Sequence, residues 1–167
     1  GRVLDVACGT GSNFRYLDDA EEVVGIDLSP AMLANARDSL DAAAVEGSLH
    51  QMDAEELAFP DDEFDTVISA LSTCTFPDPV ATLREMQRVC APDGRILLFE
   101  HGRSDVGVLA RMQDWRAGPH YEKTGCHWNQ DPLALVREAG LSVESARSAV
   151  LGIVTLIEAT PKEETVA

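Results

Sequence analysis

Lysine is almost missing from this chain. Only Lys123 and Lys162 occur among 167 residues, and every other cation is an arginine. Thirteen basic residues face twenty-nine acidic ones, a formal net charge of −16. Such a field repels a duplex, so no nucleic-acid partner is expected. Long apolar runs are absent too. The longest, Leu151 to Ile157, is broken by Gly152 and Thr155. That is far short of the ~20 residues that cross a bilayer, so no stable membrane insertion is expected. No basic-then-apolar leader is visible, and the expected compartment is the cytoplasm. Cysteine is sparse: Cys8, Cys74, Cys90 and Cys126 are widely spaced, without a C-x-x-C pair. Neither a disulfide framework nor zinc spacing is present, so no metal is expected and the thiols are expected to pack.

What remains is a globular composition, 45% apolar, of a length suited to one domain over residues 1–167. Val3, Leu4 and Val6 form a strand that runs into Cys8-Gly9-Thr10-Gly11, and a helix should follow with Phe14 and Leu17 inward. Val23 to Ile26 reads as a second strand. Ser29-Pro30 starts a helix carrying Met32, Leu33, Ala36 and Leu40 at helical spacing. Glu46 to Gln51 is a weak third strand, and Asp61-Asp62 turns into a fourth, Phe64 to Ala70. Val80, Leu83, Met86 and Val89-Cys90 share a helical face that Pro92-Asp93-Gly94 ends. Ile96 to Glu100 is apolar on both faces, as a covered parallel strand should be. A helix is expected over Asp105 to Trp115, with Val108, Leu109, Met112 and Trp115 on one face, followed by irregular chain over 117–130. Asp131-Pro132 caps another helix, and 143–159 reads as two antiparallel strands around Gly152. The alternation argues for a doubly wound α/β fold, a mostly parallel sheet with helices on both faces.

Open sheets of this kind bind ligands at the carboxyl ends of their strands. Three features fall there. Gly9 and Gly11 allow a tight turn and close approach of a ligand to the backbone. Asp27, ending strand two, can accept hydrogen bonds from ribose hydroxyls. Asp53, after strand three, can accept from an adenine amino group. A nicotinamide-type G-x-G-x-x-G fingerprint would need glycine at 14, where Phe14 stands, and no G-x-x-x-x-G-K-[ST] loop is present.

Together these residues resemble a family. Asp5-Val6-Ala7-Cys8-Gly9-Thr10-Gly11 is similar to the D-x-G-x-G-x-G motif of class I S-adenosylmethionine (SAM)-dependent methyltransferases, with Ala7 at the first glycine. The Val24 to Leu33 segment, Phe59 to Asp65 and Arg88-Val89-Cys90-Ala91-Pro92-Asp93-Gly94 resemble the ubiquinone/menaquinone-biosynthesis type. Thr10 to Phe14, Phe99 to Gly102 and Gly125 to Asn129 are similar to a narrower methyltransferase-like branch, some members of which methylate alkyl thiols.

The resemblance implies a Rossmann-like seven-stranded sheet with an antiparallel last strand, SAM as cofactor and S-adenosylhomocysteine as product. It implies that Asp5, Ala7, Cys8, Gly9, Thr10, Gly11 and Asn13 surround the methionine end. Asp27 would hold the ribose, Leu28 and Met32 would flank the adenine, and Asp53 with the Ala54 N–H would read its edge. Ala70 and Leu71 would lie beside the sulfonium. Relatives carry a helical N-terminal segment that this sequence lacks. A trimmed chain, a natural minimal form and closure by a partner subunit, as in a homodimer, all stand open.

Methyl transfer needs collinear reactants about 3 Å apart in a dry site, and a base only where the acceptor atom bears a proton. The candidates are Glu100 and His101 at the end of strand five. His101 could deprotonate an acceptor or be a loop histidine; Glu100 could orient His101 or close the strand end. His127 and Trp128 are expected to shape an acceptor pocket. Cys126 beside His127 hints at a thiolate–imidazolium pair, but neighbours on an extended chain point apart. A small-molecule acceptor, apolar in character, is expected, with carbon, oxygen and sulfur all open. The competing reading is a SAM-binding regulatory or assembly module without catalysis.

Overall fold

The computed structural model describes residues 1–161. Seven strands form one sheet: β1 Arg2–Val6, β2 Glu22–Asp27, β3 Gly47–Gln51, β4 Phe64–Ala70, β5 Cys90–His101, β6 Ser142–Ala149 and β7 Val154–Thr160. Their order is β3-β2-β1-β4-β5-β7-β6. The first five pair in parallel, whereas β7 runs antiparallel to both β5 and β6. The order reverses between β1 and β4, and that reversal opens the crevice in which such sheets take ligands.

Four helices dress the sheet: α1 Pro30–Ala42, α2 Pro79–Val89, α3 Gly107–Thr124 and α4 Pro132–Ala139. Side-chain caps and first-turn prolines start three of them. Ser29 accepts from the Met32 N–H, Asp78 from Val80 and Ala81, and Asp131 from Leu133 and Ala134. Leu83, Met86 and Val89 of α2 are fully buried against Leu4, Val67, Ile96 and Leu98, each contributing roughly 1.5–3 kcal/mol of transfer free energy. On the other face, α1 packs Ala36 and Leu40 with Phe14, Val3 and Val23.

Five expectations change. The helix expected after the glycine-rich turn is a single 3-10 turn, Phe14–Tyr16, in which Phe14 is the buried residue. The segment Pro92-Asp93-Gly94 does not end α2: the helix stops at Val89, and these residues bulge within a strand that begins at Cys90. The helix expected to stop at Trp115 runs to Thr124, through Pro119. Gly125, in the left-handed region, closes it by donating to the Tyr121 carbonyl at 2.7 Å.

The face of α3 is also not the expected one. Val108 is 78% exposed and Trp115 77%, while the buried positions are Ala110 and Gln113. Gln113 earns its burial by accepting from the Ser104 N–H at 2.8 Å and donating to the Gly102 and Trp128 carbonyls. Finally, β5 is covered on one face only over its length. Leu98 is buried, but Phe99 stands exposed beside Leu156 on the α1 side. Among the described residues no helix is long and apolar enough to cross a membrane.

Candidate functional site

The turn after β1 is built by left-handed backbone. Ala7 has φ 54°, Gly9 φ 56° and Gly11 φ 74°. A Cβ at Gly11 would collide with the Phe14 ring, so glycine is required there on two counts. A Cβ at Gly9 would meet nothing within 4 Å, so free space lies directly over the backbone at that point. Ala7 holds the first glycine's place with a left-handed backbone, so its small size does not make the replacement a mild one. A side chain in this region costs roughly 1–2 kcal/mol whatever its size.

Asp27 ends β2 beneath this turn. Its Oδ2 accepts the Gly9 N–H at 2.9 Å and its Oδ1 accepts the Ser29 N–H at 2.8 Å. The carboxylate therefore ties β2, the turn and the start of α1 together, and it keeps lone pairs for a ligand. Asp5 is fully buried in β1, and Asn13 Nδ2 donates to both its oxygens at 3.2 and 3.1 Å. Burial pushes the Asp5 carboxyl up to about 7, against the Asn13 hydrogen bonds and with help from the Asp27 charge.

Asp27 and Asp53 line the same cavity, about 200 Å³, with Ala7, Leu28 and Ala54. Thr75, Phe76 and Pro77, after β4, form its far wall. Sequence reasoning missed that wall, since a 3-10 turn over Thr73–Thr75 leaves no periodic signal. Leu28, 65% exposed, stands at its rim. Met32, 44% exposed, is not among the lining side chains. Cys8 turns its thiol into the core beside Phe14 and leaves only its backbone in the turn, while Thr10 is exposed and accepts from Ser39 through its carbonyl. The space over Gly9, the paired acceptors and the exposed Leu28 fit an adenosyl group bearing an amino-acid tail.

At the end of β4, Ala70 lines a shallow apolar groove with Asn13 and Phe99. Leu71, with φ 56°, donates its N–H to the Phe99 carbonyl. Glu100 is fully buried beneath this bend. It accepts from Ser69 Oγ at 3.0 Å, from the Ser72 N–H at 3.1 Å and from the Thr73 N–H at 3.3 Å. Burial outweighs these donors and pushes its carboxyl up to about 7.

His101 faces a second cavity, about 320 Å³, lined by Leu109, Met112, Gln113, His120, Trp128 and Ile153. Burial, aided by the His120 charge, lowers the His101 pKa and so favours the neutral ring. Trp128 stacks on His120 at 4.2 Å and donates from Nε1 to the Gln113 carbonyl. His127 does not line the cavity; it stacks on Tyr121 at 4.1 Å, and its N–H bonds the Cys74 carbonyl. The partner of Cys126 is therefore not its neighbour. Its Sγ lies 3.4 Å from His101 Nε2, twenty-five residues away in sequence.

A model of the methyltransferase domain family matches residues 4–98, more than half of the chain. The chain belongs to that family, and its sheet is the Rossmann-like class I methyltransferase fold. It is 38% identical over 133 residues to a phosphatidylethanolamine N-methyltransferase of Cereibacter sphaeroides, covering 78% of this chain and 64% of that protein. It is 41% identical over 102 residues to a demethylmenaquinone methyltransferase of Thermus thermophilus, covering 59% and 46%. Matches of this kind thus span roughly half the relatives' own length. A SAM-dependent methyltransferase of Methanosarcina mazei superposes with a TM-score of 0.75 at 21% identity, covering 95% of this chain and 91% of that one.

Proposed function

We propose that this chain transfers a methyl group from SAM to a small apolar acceptor, releasing S-adenosylhomocysteine. One observation carries the reading: Asp27 and Asp53 line a single cavity that opens beside the left-handed Ala7–Gly11 turn. Asp27 is suited to ribose hydroxyls, and Asp53 with the Ala54 N–H to the adenine edge. Leu28 at the rim offers apolar surface to the base, and Met32, exposed on the first turn of α1, is the further candidate to flank it.

When bound, SAM supplies an electrophilic methyl group on a positively charged sulfur. The residues around it do the rest. Asp5, buried with only Asn13 as donor, offers a carboxylate to the ammonium of the methionine tail, and a cation there offsets its desolvation. Ala70 and Leu71 give the bend after β4 an apolar wall, which keeps water from competing as acceptor. Glu100 holds that bend from beneath through Ser69, Ser72 and Thr73, so it acts as a positioning residue. His101 is half-buried at the acceptor cavity, and burial favours its neutral form, so the ring is suited to take a proton from an acceptor that must lose one.

Leu109, Met112 and Trp128 make that cavity apolar, which supports a lipophilic acceptor. The test joins calorimetry with SAM to a product assay on thiol, quinol and phenol acceptors. Binding together with S-adenosylhomocysteine release above the acceptor-free rate is expected. Binding without turnover of any of them would favour a SAM-binding module, and absence of heat would end the reading.

A further inference from the structure

Cys74, His101 and Cys126 come from three separate parts of the chain: the 3-10 turn after β4, the end of β5, and the loop after α3. Their donor atoms nonetheless all lie within 4.8 Å of one another. In a tetrahedral zinc site, bond lengths near 2.3 Å to sulfur and 2.0 Å to nitrogen place neighbouring donors roughly 3.5 Å (sulfur to nitrogen) to 3.8 Å (sulfur to sulfur) apart. The Cys126 Sγ to His101 Nε2 distance, 3.4 Å, is already close to the sulfur-to-nitrogen spacing. The remaining separations, none above 4.8 Å, need a contraction of at most about 1 Å, within reach of side-chain rotation. Four cysteines are free, and among the described residues only these two join an imidazole in a group of three potential ligands.

We propose that Cys74, His101 and Cys126 bind one thiophilic divalent ion of the zinc class. Two thiolates and an imidazole are the soft and borderline donors such an ion prefers. Three protein ligands are one fewer than a closed structural site uses, and the fourth position is left for an exogenous donor. His101 lines the apolar cavity, so that position is reached from the acceptor side. Carbonyl contacts hold the ligand-bearing segments in register: the His127 N–H donates to the Cys74 carbonyl, and Leu71 donates to Phe99 across the strand ends. Binding releases the two thiol protons to solvent and occupies His101 Nε2. Activation of an acceptor then passes from the imidazole to the ion; only this last step rests on the proposed transferase activity.

The experiment uses the reduced, metal-stripped chain titrated with Co²⁺ and then with Zn²⁺. One equivalent of Co²⁺ is expected to bind with a thiolate-to-metal charge-transfer band and the ligand-field bands of tetrahedral cobalt, and Zn²⁺ is expected to abolish both. Cys126→Ser, in a half-buried loop, should lose about half of the charge-transfer intensity and weaken binding by at least about tenfold. His101→Gln should keep the charge-transfer band but weaken binding comparably. Cys74 is buried, so Cys74→Ser is read only if its circular dichroism matches the parent chain.

Absence of the charge-transfer band, or a band unaltered by Cys126→Ser, overturns the site. So does a reduced chain that takes no cobalt but closes a Cys74–Cys126 disulfide on mild oxidation. S-adenosylhomocysteine affinity, read by calorimetry, separates the two proposals. A chain that binds the nucleoside but no cobalt sinks the ion alone; one that binds cobalt and turns over no acceptor sinks the transferase alone.

Discussion

The Gly9 amide donates to the Asp27 carboxylate at 2.9 Å, joining residues eighteen apart at the ends of two neighbouring parallel strands. That bond holds the acceptor of the candidate ribose site against the turn over which free space lies. Asp27→Ala removes it and leaves the Gly9 and Ser29 N–H groups without their partner. SAM affinity is expected to fall by about 1–3 kcal/mol, roughly five- to 150-fold, in calorimetry. Unchanged affinity would place the cofactor elsewhere.

Ala7 adopts φ 54° in the same turn. Glycine enters that region freely, so Ala7→Gly relieves strain of roughly 1–2 kcal/mol and loses part of it to a more flexible unfolded chain. A net gain of about 0.5–1 kcal/mol is expected in urea unfolding. Ala7→Val should lose stability, since branching adds bulk to a position already strained. A destabilised glycine variant would show that the methyl group packs well enough to outweigh its backbone.

Buried Asp5 titrates near 7, above its ordinary value near 3.8, with Asn13 as its donor and Asp27 as a nearby like charge. A raised carboxyl pKa means that the folded chain holds a proton the unfolded chain has released. Its contribution is therefore complete below pH ~4 and is lost as pH rises to about 7. Between those limits the folded chain loses stability on the order of a few kcal/mol from this group. Asp5→Asn keeps the shape without the titration, so its melting temperature should vary less over pH 4–7 than that of the parent. Parallel profiles would remove Asp5 as the source.

Met112 lines the second cavity and is partly exposed. Met112→Trp should fill much of that space, lowering kcat/KM for an apolar acceptor by at least about tenfold, or about 1.4 kcal/mol. SAM affinity should stay within about twofold, because the Asp27–Asp53 cavity does not include this residue. Loss of both together would mean that the two cavities are not separate sites.

Much of the architecture could be read from residue order. Ser29-Pro30 and Asp131-Pro132 announce helix starts through a chemistry confined to a few residues, and both appear where expected. The strands over 64–70 and 143–159 were legible because alternation, turn residues and glycine are also local. The extent of α3 was not. Pro119 signals a break, but its missing N–H is tolerated within a helix whose end is set by the left-handed Gly125 cap and by Gln113 bridging to Gly102 and Trp128.

The candidate site divides in the same way. The glycine-rich turn, Asp27 and Asp53 follow from the linear order of motifs, because each closes its own strand and parallel pairing brings those ends to one edge. The pairing of Cys126 with His101, the burial of Glu100 under Ser72 and Thr73, and the apolar cavity under α3 came only with tertiary structure. Residues 74, 101 and 126 belong to three segments whose separation no local rule encodes. What brings them together is the lateral pairing of β4 with β5 and the return of the chain after α3. Short-range backbone chemistry thus determined the elements and the candidate cofactor motifs, whereas long-range packing decided which thiol meets which imidazole.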